Sequence, residues 1–296
     1  MRVSGARGED ATEPWMVRRV LAYAHRGGAR EGPSSTIAAM RGALAAGVHA
    51  LELDVHASAD GVLVCCHDDT VDRTTDGHGS IAELTFAELS GLDAAYWFVP
   101  GREVAPGLEA ASYPLRGRAR EDPEYRIPSL SAVLEAFPGI LLNLDIKRTE
   151  PDVLPYEAGL AELLELHGRR DDVIVVSFSD HALARFTAVS PHVSTAAGAM
   201  ATGAFWQAVQ EGRRPPDLPH VALQVPVTMG GEVVADGALV SAAHEAGMAV
   251  HVWTVDDPAE MRRLAALGVD GIMSDLPSLL VAELERLGVS FQGAGR

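Results

Sequence analysis

The segment Ala50-Leu51-Glu52-Leu53-Asp54-Val55 carries two carboxylates at i and i+2 in an otherwise apolar run. Such a run reads as a strand, and strand side chains two apart share a face. Two carboxylates together on a buried face repel and lose hydration, at a cost on the order of several kcal/mol per ion. A cation between them removes that cost; the alternative is that one of them faces solvent or pairs with an arginine. The arrangement recurs at Leu142-Asn143-Leu144-Asp145-Ile146-Lys147, where Asn143, Asp145 and Lys147 fall on one face. Asp145 could complete an all-oxygen site with Glu52 and Asp54. Three carboxylates suit one hard divalent cation, Mg²⁺ or Ca²⁺ with Mn²⁺ also admissible, better than zinc. Lys147 is the only lysine among 24 basic residues. A compact ammonium there suits a phosphate oxygen, with a plain salt bridge as the alternative.

Two histidines stand where an apolar run meets a loop. His25 follows Leu21-Ala22-Tyr23-Ala24 and precedes Arg26-Gly27-Gly28; His67 follows Val62–Cys66 and precedes Asp68-Asp69. One histidine can accept a proton while the other donates one, as cleavage of a phosphodiester requires. His56, just past the carboxylate strand, could support the site. Trp253, in Val250-His251-Val252-Trp253-Thr254, could line a pocket or pack in the core.

The elements that must position these groups alternate along the chain. Strands are expected at Val20–Ala24, Ala50–Val55, Ile140–Ile146, Val173–Phe178, Val193–Ala197, Val221–Pro226, Ala249–Val255 and Gly271–Ser274, with an extra one at Val62–Cys66. Helices are expected at Ser35–Ala46, Leu130–Ala136, Tyr156–His167, His181–Val189, Ala204–Glu211, Gly237–Ala246, Pro258–Leu267 and Pro277–Leu287. Several end on a glycine before the next apolar run, as a left-handed helix stop requires. Ser34 or Ser35 and Asp256 or Asp257 are candidate N-caps, and Pro258 suits a first turn. Eight strand–helix units point to an α/β fold, a TIM-type (β/α)8 barrel, with a doubly wound open sheet as the rival. Residues 94–126 break the rhythm, being rich in Gly, Pro, Arg and aromatics, and read as an insertion.

With 296 residues, 47% of them apolar, the chain can bury one large core. A net charge of −17 argues against nucleic acid as a partner, since such binders present a basic face. The only cysteines, Cys65 and Cys66, are adjacent in an apolar run and read as small core residues rather than a disulfide. No run of eighteen apolar residues and no signal-peptide pattern occurs, so a cytoplasmic protein without a membrane span is expected. Residues 1–17 and 289–296 are expected to be flexible, flanking a single domain over 18–288.

In this order, Ala24-His25-Arg26-Gly27, Glu52-Leu53-Asp54-Val55, Asp60-Gly61-Val62-Leu63-Val64 with His67-Asp68, Asp72-Arg73-Thr74-Thr75, Ile127-Pro128-Ser129-Leu130, Asn143-Leu144-Asp145-Ile146-Lys147, Trp253-Thr254-Val255 and Gly268–Asp275 resemble the glycerophosphodiester phosphodiesterase family. The resemblance runs from about Tyr23 to Pro277. It implies a TIM-type barrel with an insertion between the second and third barrel strands, which fits residues 94–126. It implies hydrolysis of a small-molecule glycerophosphodiester to sn-glycerol 3-phosphate and an alcohol. His25 and His67 then match the family's general acid and base, Glu52, Asp54 and Asp145 its metal ligands, and Arg26 and Lys147 its phosphate holders. Two departures stand out: Asp145 replaces a usual glutamate, and Ser34 replaces the glutamate of a usual Pro-Glu-Asn-Thr. Two alternatives are a related phosphodiesterase of the phospholipase C or D type and a non-catalytic binding scaffold.

Overall fold

A computed structural model describes residues 14–16 and 19–289. Eight parallel strands form the barrel: β1 (Leu21–His25), β2 (Ala50–Ala57), β4 (Leu141–Ile146), β5 (Val173–Val176), β6 (Ser194–Thr195), β7 (Ala222–Pro226), β10 (Ala249–Trp253) and β11 (Gly271–Ser274), while β3 (Leu63–Cys65) and the small antiparallel pair β8 (Thr228–Met229) and β9 (Glu232–Val233) stand outside it. They are hydrogen-bonded in the order β6-β5-β4-β2-β1-β11-β10-β7. The seam between β6 and β7 is bridged at Ala196 and Ala222, with Val221 N donating to Thr195 O at 3.0 Å and Ala197 N to Ala222 O at 2.9 Å. The sheet thus curls nearly closed, which settles the choice against an open doubly wound sheet.

Alternation along the strands builds two cores. On β2, Leu51, Leu53 and Val55 face outward and pack in the shell between strands and helices. Leu21, Tyr23, Ala50, Ile174, Ala222, Ala249 and Met273 fill the barrel interior instead. Helices α1 (Ile37–Ala45), α4 (Glu157–Leu166), α5 (Asp180–Val189), α6 (Ala199–Gln210), α7 (Gly237–Glu245), α8 (Pro258–Leu267) and α9 (Pro277–Leu287) form the outer layer. The stop of α8 is the expected one: Gly268 adopts φ +83. Asp257 caps its start by accepting from Glu260 N, with Pro258 in the first turn. At α1 the cap is Thr36, one residue beyond the expected serines, because Ser35 is held at φ +60 by the preceding turn. Helix α6 begins at Ala199, earlier than expected from Ala204, because the Asp180 carboxylate accepts from Met200 N and Ala201 N and the Gly198 carbonyl from Thr202 N.

The chain between β2 and β4 holds strand β3 (Leu63–Cys65), antiparallel to β2, the short helix α2 (Phe86–Leu89), and α3 (Leu130–Ala136). Single turns of 3₁₀ helix at Ile81–Glu83, Ala110–Ser112, Arg118–Arg120 and Pro123–Tyr125 lie between them. Val64, Cys66, Val71, Ile81, Leu89, Ala94 and Ile127 make a third, smaller core beneath this connection. Both cysteines are buried and unbridged, as expected of core residues, and burial pushes the Cys66 thiol up to about 12. Among the described residues no helix is long and apolar enough to cross a membrane.

The expectation of a flexible segment over residues 1–17 needs correction where it can be followed. Residues 1–13 and 17 lie outside the described residues, but Trp15 is 1% exposed and plugs the barrel interior against Leu21, Tyr23 and Ala249. Its carbonyl lies 3.2 Å from His251 Nε2, which makes His251 a core residue. A strand-less segment signals nothing to sequence periodicity, yet a barrel open at its N-terminal end needs an apolar stopper. Of the expected flexible tail 289–296, only Val289 lies within the described residues; its carbonyl accepts from Val20 N at 2.9 Å. Trp15→Ala is expected to cost about 3–5 kcal/mol, the usual range for deleting a buried aromatic, read as a lower urea midpoint at unchanged slope.

Candidate active site

Strand register brings the expected residues together at the C-terminal end of the barrel. Along β1, β2 and β4, His25 pairs with Glu52, Glu52 with Asn143, and Asp54 with Asp145. These even-spaced side chains all face inward. A cavity of about 300 Å³ is lined by His25, Arg26, Glu52, Asp54, His67, Asp145, Lys147 and Trp253, so all eight sequence-predicted residues meet there. Barrel enzymes carry their chemistry at this end.

The turn after β1 aims Arg26. Arg26, Gly27 and Gly28 hold φ of +53, +78 and +92, three left-handed residues in a row. A Cβ at Gly28 would stand 2.7 Å from Pro277 Cγ, so only glycine fits this approach of the turn to α9. Arg26 pays with an unusual backbone for a non-glycine, a feature that collects at functional sites. Its backbone N–H donates to Glu52 Oε2 at 3.1 Å.

Each histidine is steered by a carboxylate. His25 Nδ1 lies 2.6 Å from Asp275 Oδ1, while Nε2 lies 3.7 Å from Glu52 Oε2. Burial is the largest influence on His25 and lowers its pKa, but the Glu52 charge and the Asp275 hydrogen bond together raise it above the ordinary value. His67 Nδ1 lies 2.6 Å from Asp68 Oδ1, and Asp68 is gripped in turn by Arg73 Nε at 2.5 Å and Nη2 at 3.0 Å. Burial works against the Asp68 charge, yet His67 and Arg73 hold the carboxyl well below the usual carboxylate range. In both histidines Nδ1 is engaged by a carboxylate, which leaves Nε2 for chemistry in the cavity. His56, 4% exposed, places Nε2 3.3 Å from the His67 carbonyl and braces that loop.

The acids are buried together and incompletely satisfied. Lys147 Nζ bridges Asp54 Oδ1 at 3.2 Å and Asp145 Oδ2 at 3.3 Å. Asp54 Oδ2, Asp145 Oδ1 and Arg26 Nε are buried with no hydrogen-bond partner, although Arg26 Nε and Asp54 Oδ2 form a loose ion pair at 3.6 Å, so Asp54 does pair with an arginine. Burial is the chief cause that pushes the Asp145 carboxyl up to about 8, with Asp54 and Glu52 adding to it and Lys147 opposing. Burial and the Asp54 charge likewise raise Glu52, against His25 and Arg26. A raised carboxyl pKa in the fold means that the folded form holds a proton the unfolded chain has lost. Protein without metal should therefore lose stability from this group as pH rises from about 4 to about 8. A cation bound there must displace that proton, so its affinity should rise over the same window. Melting temperature against pH, with and without added Mg²⁺ or Ca²⁺, checks both slopes; a cation-induced rise no larger at pH 8 than at pH 6 counts against it.

Some site residues carried no signal strong enough to find. Asp275 and Asp68 fall within the family motifs, where only the adjacency of His67 and Asp68 hints at a role. Phe178 from the loop after β5, Trp206 from α6 and Gln224 from β7 also line the cavity. Phe178 meets Trp253 edge-on at 5.7 Å. Gln224 Nε2 donates to Asn143 Oδ1 at 2.7 Å. Glu103 reaches back to Arg26 from the long β2–β4 connection, across a distance no periodicity encodes.

Comparison with known proteins agrees with this geometry. Residues 25–279 match the model of the glycerophosphoryl diester phosphodiesterase family. A glycerophosphodiester phosphodiesterase of Caldanaerobacter subterraneus subsp. tengcongensis is 30% identical over 89% of this chain and 97% of its own. One from Bacillus subtilis is 28% identical over 88% of this chain and 85% of its own. Among solved structures, an Oleispira antarctica phosphodiesterase in complex with the product sn-glycerol-3-phosphate superposes with a TM-score of 0.71 at 27% identity, covering 90% of this chain and 97% of that one. A domain of a Mycobacterium tuberculosis protein shares the fold at a TM-score of 0.74, 24% identity, and 90% and 99% coverage. With its barrel, its C-terminal-face cavity and a family match over most of its length, this chain belongs to the glycerophosphoryl diester phosphodiesterase family and is a phosphodiesterase of it.

Proposed function

We propose that the protein hydrolyses glycerophosphodiesters to sn-glycerol 3-phosphate and an alcohol, using His25 and His67 as the proton-transfer pair and a divalent cation held by Glu52, Asp54 and Asp145. The observation that carries this reading is the set of orphaned atoms. Two buried carboxylate oxygens and one buried guanidinium nitrogen have no hydrogen-bond partner in one cavity, Arg26 Nε and Asp54 Oδ2 being left as a loose ion pair at 3.6 Å. A hard cation answers the first and a phosphate oxygen the second. Among the described residues no group of three or more His, Cys, Asp or Glu is already arranged around one point as a metal site. Lys147 lies between Asp54 and Asp145, and the donor chemistry rather than the present spacing supports the cation. When bound, it would supply Lewis-acid stabilisation of negative charge on the phosphate.

The side chains do the rest. Arg26 and Lys147 donate to phosphate oxygens and offset charge as it builds in the transition state. His25 and His67, each held at Nδ1 by a carboxylate, present Nε2 to the attacking hydroxyl and to the leaving alkoxide. Trp253 and Phe178, in edge-on contact, line the cavity, with the Phe178 ring centroid 5.9 Å from Lys147 Nζ.

Metal-stripped protein incubated with glycerophosphocholine or glycerophosphoethanolamine should release glycerol 3-phosphate only when Mg²⁺, Mn²⁺ or Ca²⁺ is restored. Release that is unaffected by stripping sinks the metal component, and no release with any cation sinks the substrate class. One observation favours a second reading, a substrate bearing a hydrocarbon chain. Beyond the acids the cavity wall is apolar, and its lip exposes Phe178 by 63% and Met229 by 57%. A lysophospholipid cleaved faster than glycerophosphocholine in the same assay would decide for it.

A further inference from the structure

We propose that Glu103 sets the charge selectivity of the phosphate site, favouring a monoanionic diester over a dianionic phosphomonoester; this rests on the reading of Arg26 as a phosphate donor. Glu103 Oε1 accepts from Arg26 Nη1 at 2.5 Å and from Arg73 Nη1 at 2.9 Å. Arg73 also holds Asp68, and Asp68 holds His67. One carboxylate thus joins the guanidinium at one edge of the cavity to the ion-pair chain behind the histidine at the other.

The contact is fixed in place. Gly101 N donates to Arg30 O at 2.8 Å, while the Arg30 guanidinium donates to Gly101 O from Nε at 3.0 Å and Nη2 at 2.9 Å. Arg30 Nη1 is 3.2 Å from Asp256 Oδ2. The backbone is therefore pinned two residues before Glu103. Burial opposes the Glu103 charge, but Arg26 and Arg73 outweigh it and hold the carboxyl below its usual range, so it is ionised at neutral pH.

A ligand phosphate on Arg26 shares that guanidinium with Glu103. Arg26 Nη1 is already engaged by the Glu103 carboxylate, while Nε, which has no hydrogen-bond partner and faces Asp54 Oδ2 at 3.6 Å, is the atom left to turn to the ligand. A phosphodiester brings one negative charge; a phosphomonoester brings about −1.5 to −2 at neutral pH. Coulomb repulsion scales with the product of the charges, so Glu103 opposes the monoester product almost twice as strongly as the diester substrate. It thereby speeds product departure and rejects other phosphomonoesters without a steric gate.

The test compares Glu103→Gln with wild type, both metal-loaded. It reads the KM for glycerophosphocholine, product inhibition by sn-glycerol 3-phosphate, and the calorimetric Kd for sn-glycerol 3-phosphate. Glutamine keeps the acceptor oxygen and removes only the charge, at a side chain that is 31% exposed. The product should bind roughly tenfold tighter while KM falls only about three- to fivefold, and Glu103→Asp should retain the wild-type ratio. Equal tightening of both ligands would show that Glu103 merely occupies space, and weakening of both would show a brace for Arg26 and Arg73; either overturns the inference. Glu103→Asp behaving like Glu103→Gln also overturns it. If wild type turns over no glycerophosphodiester while the product Kd still tightens in Glu103→Gln, the proposed substrate fails and the charge filter stands.

Discussion

His25→Ala and His67→Ala should each lower kcat by about 10²- to 10⁴-fold, the range for removing a positioned acid or base, while the protein keeps its cooperative melt. Both residues sit at the mouth rather than in the core. His25 is partly accessible, and the His67 side chain is 31% exposed, so alanine removes chemistry before it removes packing. The double variant should be little worse than the poorer single one, because groups that act as a unit are non-additive. Asp275→Asn provides a control of a different kind. It leaves His25 in place but takes away the carboxylate 2.6 Å from Nδ1, so a smaller fall in kcat is expected, with a lowered pKa in the pH–rate profile. Near wild-type turnover in either alanine variant would falsify the paired-histidine mechanism.

The second large effect belongs to Lys147→Met, which should act on stability and on rate in separable ways. Without metal, Lys147 is the cation closest to both Asp54 and Asp145. Its removal leaves Asp54 with only Arg26 Nε, 3.6 Å away, and takes from Asp145 the one charge that opposes its protonation; breaking one partner out of a buried ionic cluster costs about 3–5 kcal/mol. Excess Mg²⁺ or Ca²⁺ should recover much of that loss, since a divalent cation neutralises the same two acids. The rate should not recover. Loss of a preorganised cation at the phosphate costs about 10²- to 10³-fold in kcat, and the metal cannot stand in both places. Chemical denaturation with and without cation, run beside the glycerol 3-phosphate assay, separates the two. Recovery of turnover together with stability would make Lys147 a structural counter-ion only.

The sequence by itself determined the side chains that line the cavity and the strands that carry them. Alternation in Ala50–Val55 and Leu142–Lys147 is a local property: side-chain direction along a strand has period two, so shared faces follow from spacing alone. The same holds for the glycine helix stops and the Asp257–Pro258 helix start, which depend on single backbone conformations. The order of eight strand–helix units, with the family motifs, was enough for the barrel.

Tertiary structure alone decided the rest. Register between β2 and β4 sets Asp54 beside Asp145, and register is a property of two strands, which neither one encodes. Asp275 reaches His25 across 250 residues because barrel closure makes neighbours of the first and last strands, and Trp15 reaches His251 across 236 because it plugs the barrel interior. Glu103 lies in a stretch without periodicity, so nothing local distinguished its carboxylate from the other acids of a strongly acidic chain. Only the folded path of the β2–β4 connection brings it onto Arg26 and Arg73. The raised carboxyl of Asp145 has the same origin: an acid two residues from a lysine reads as an ordinary ion pair until burial removes the water that would have kept it charged.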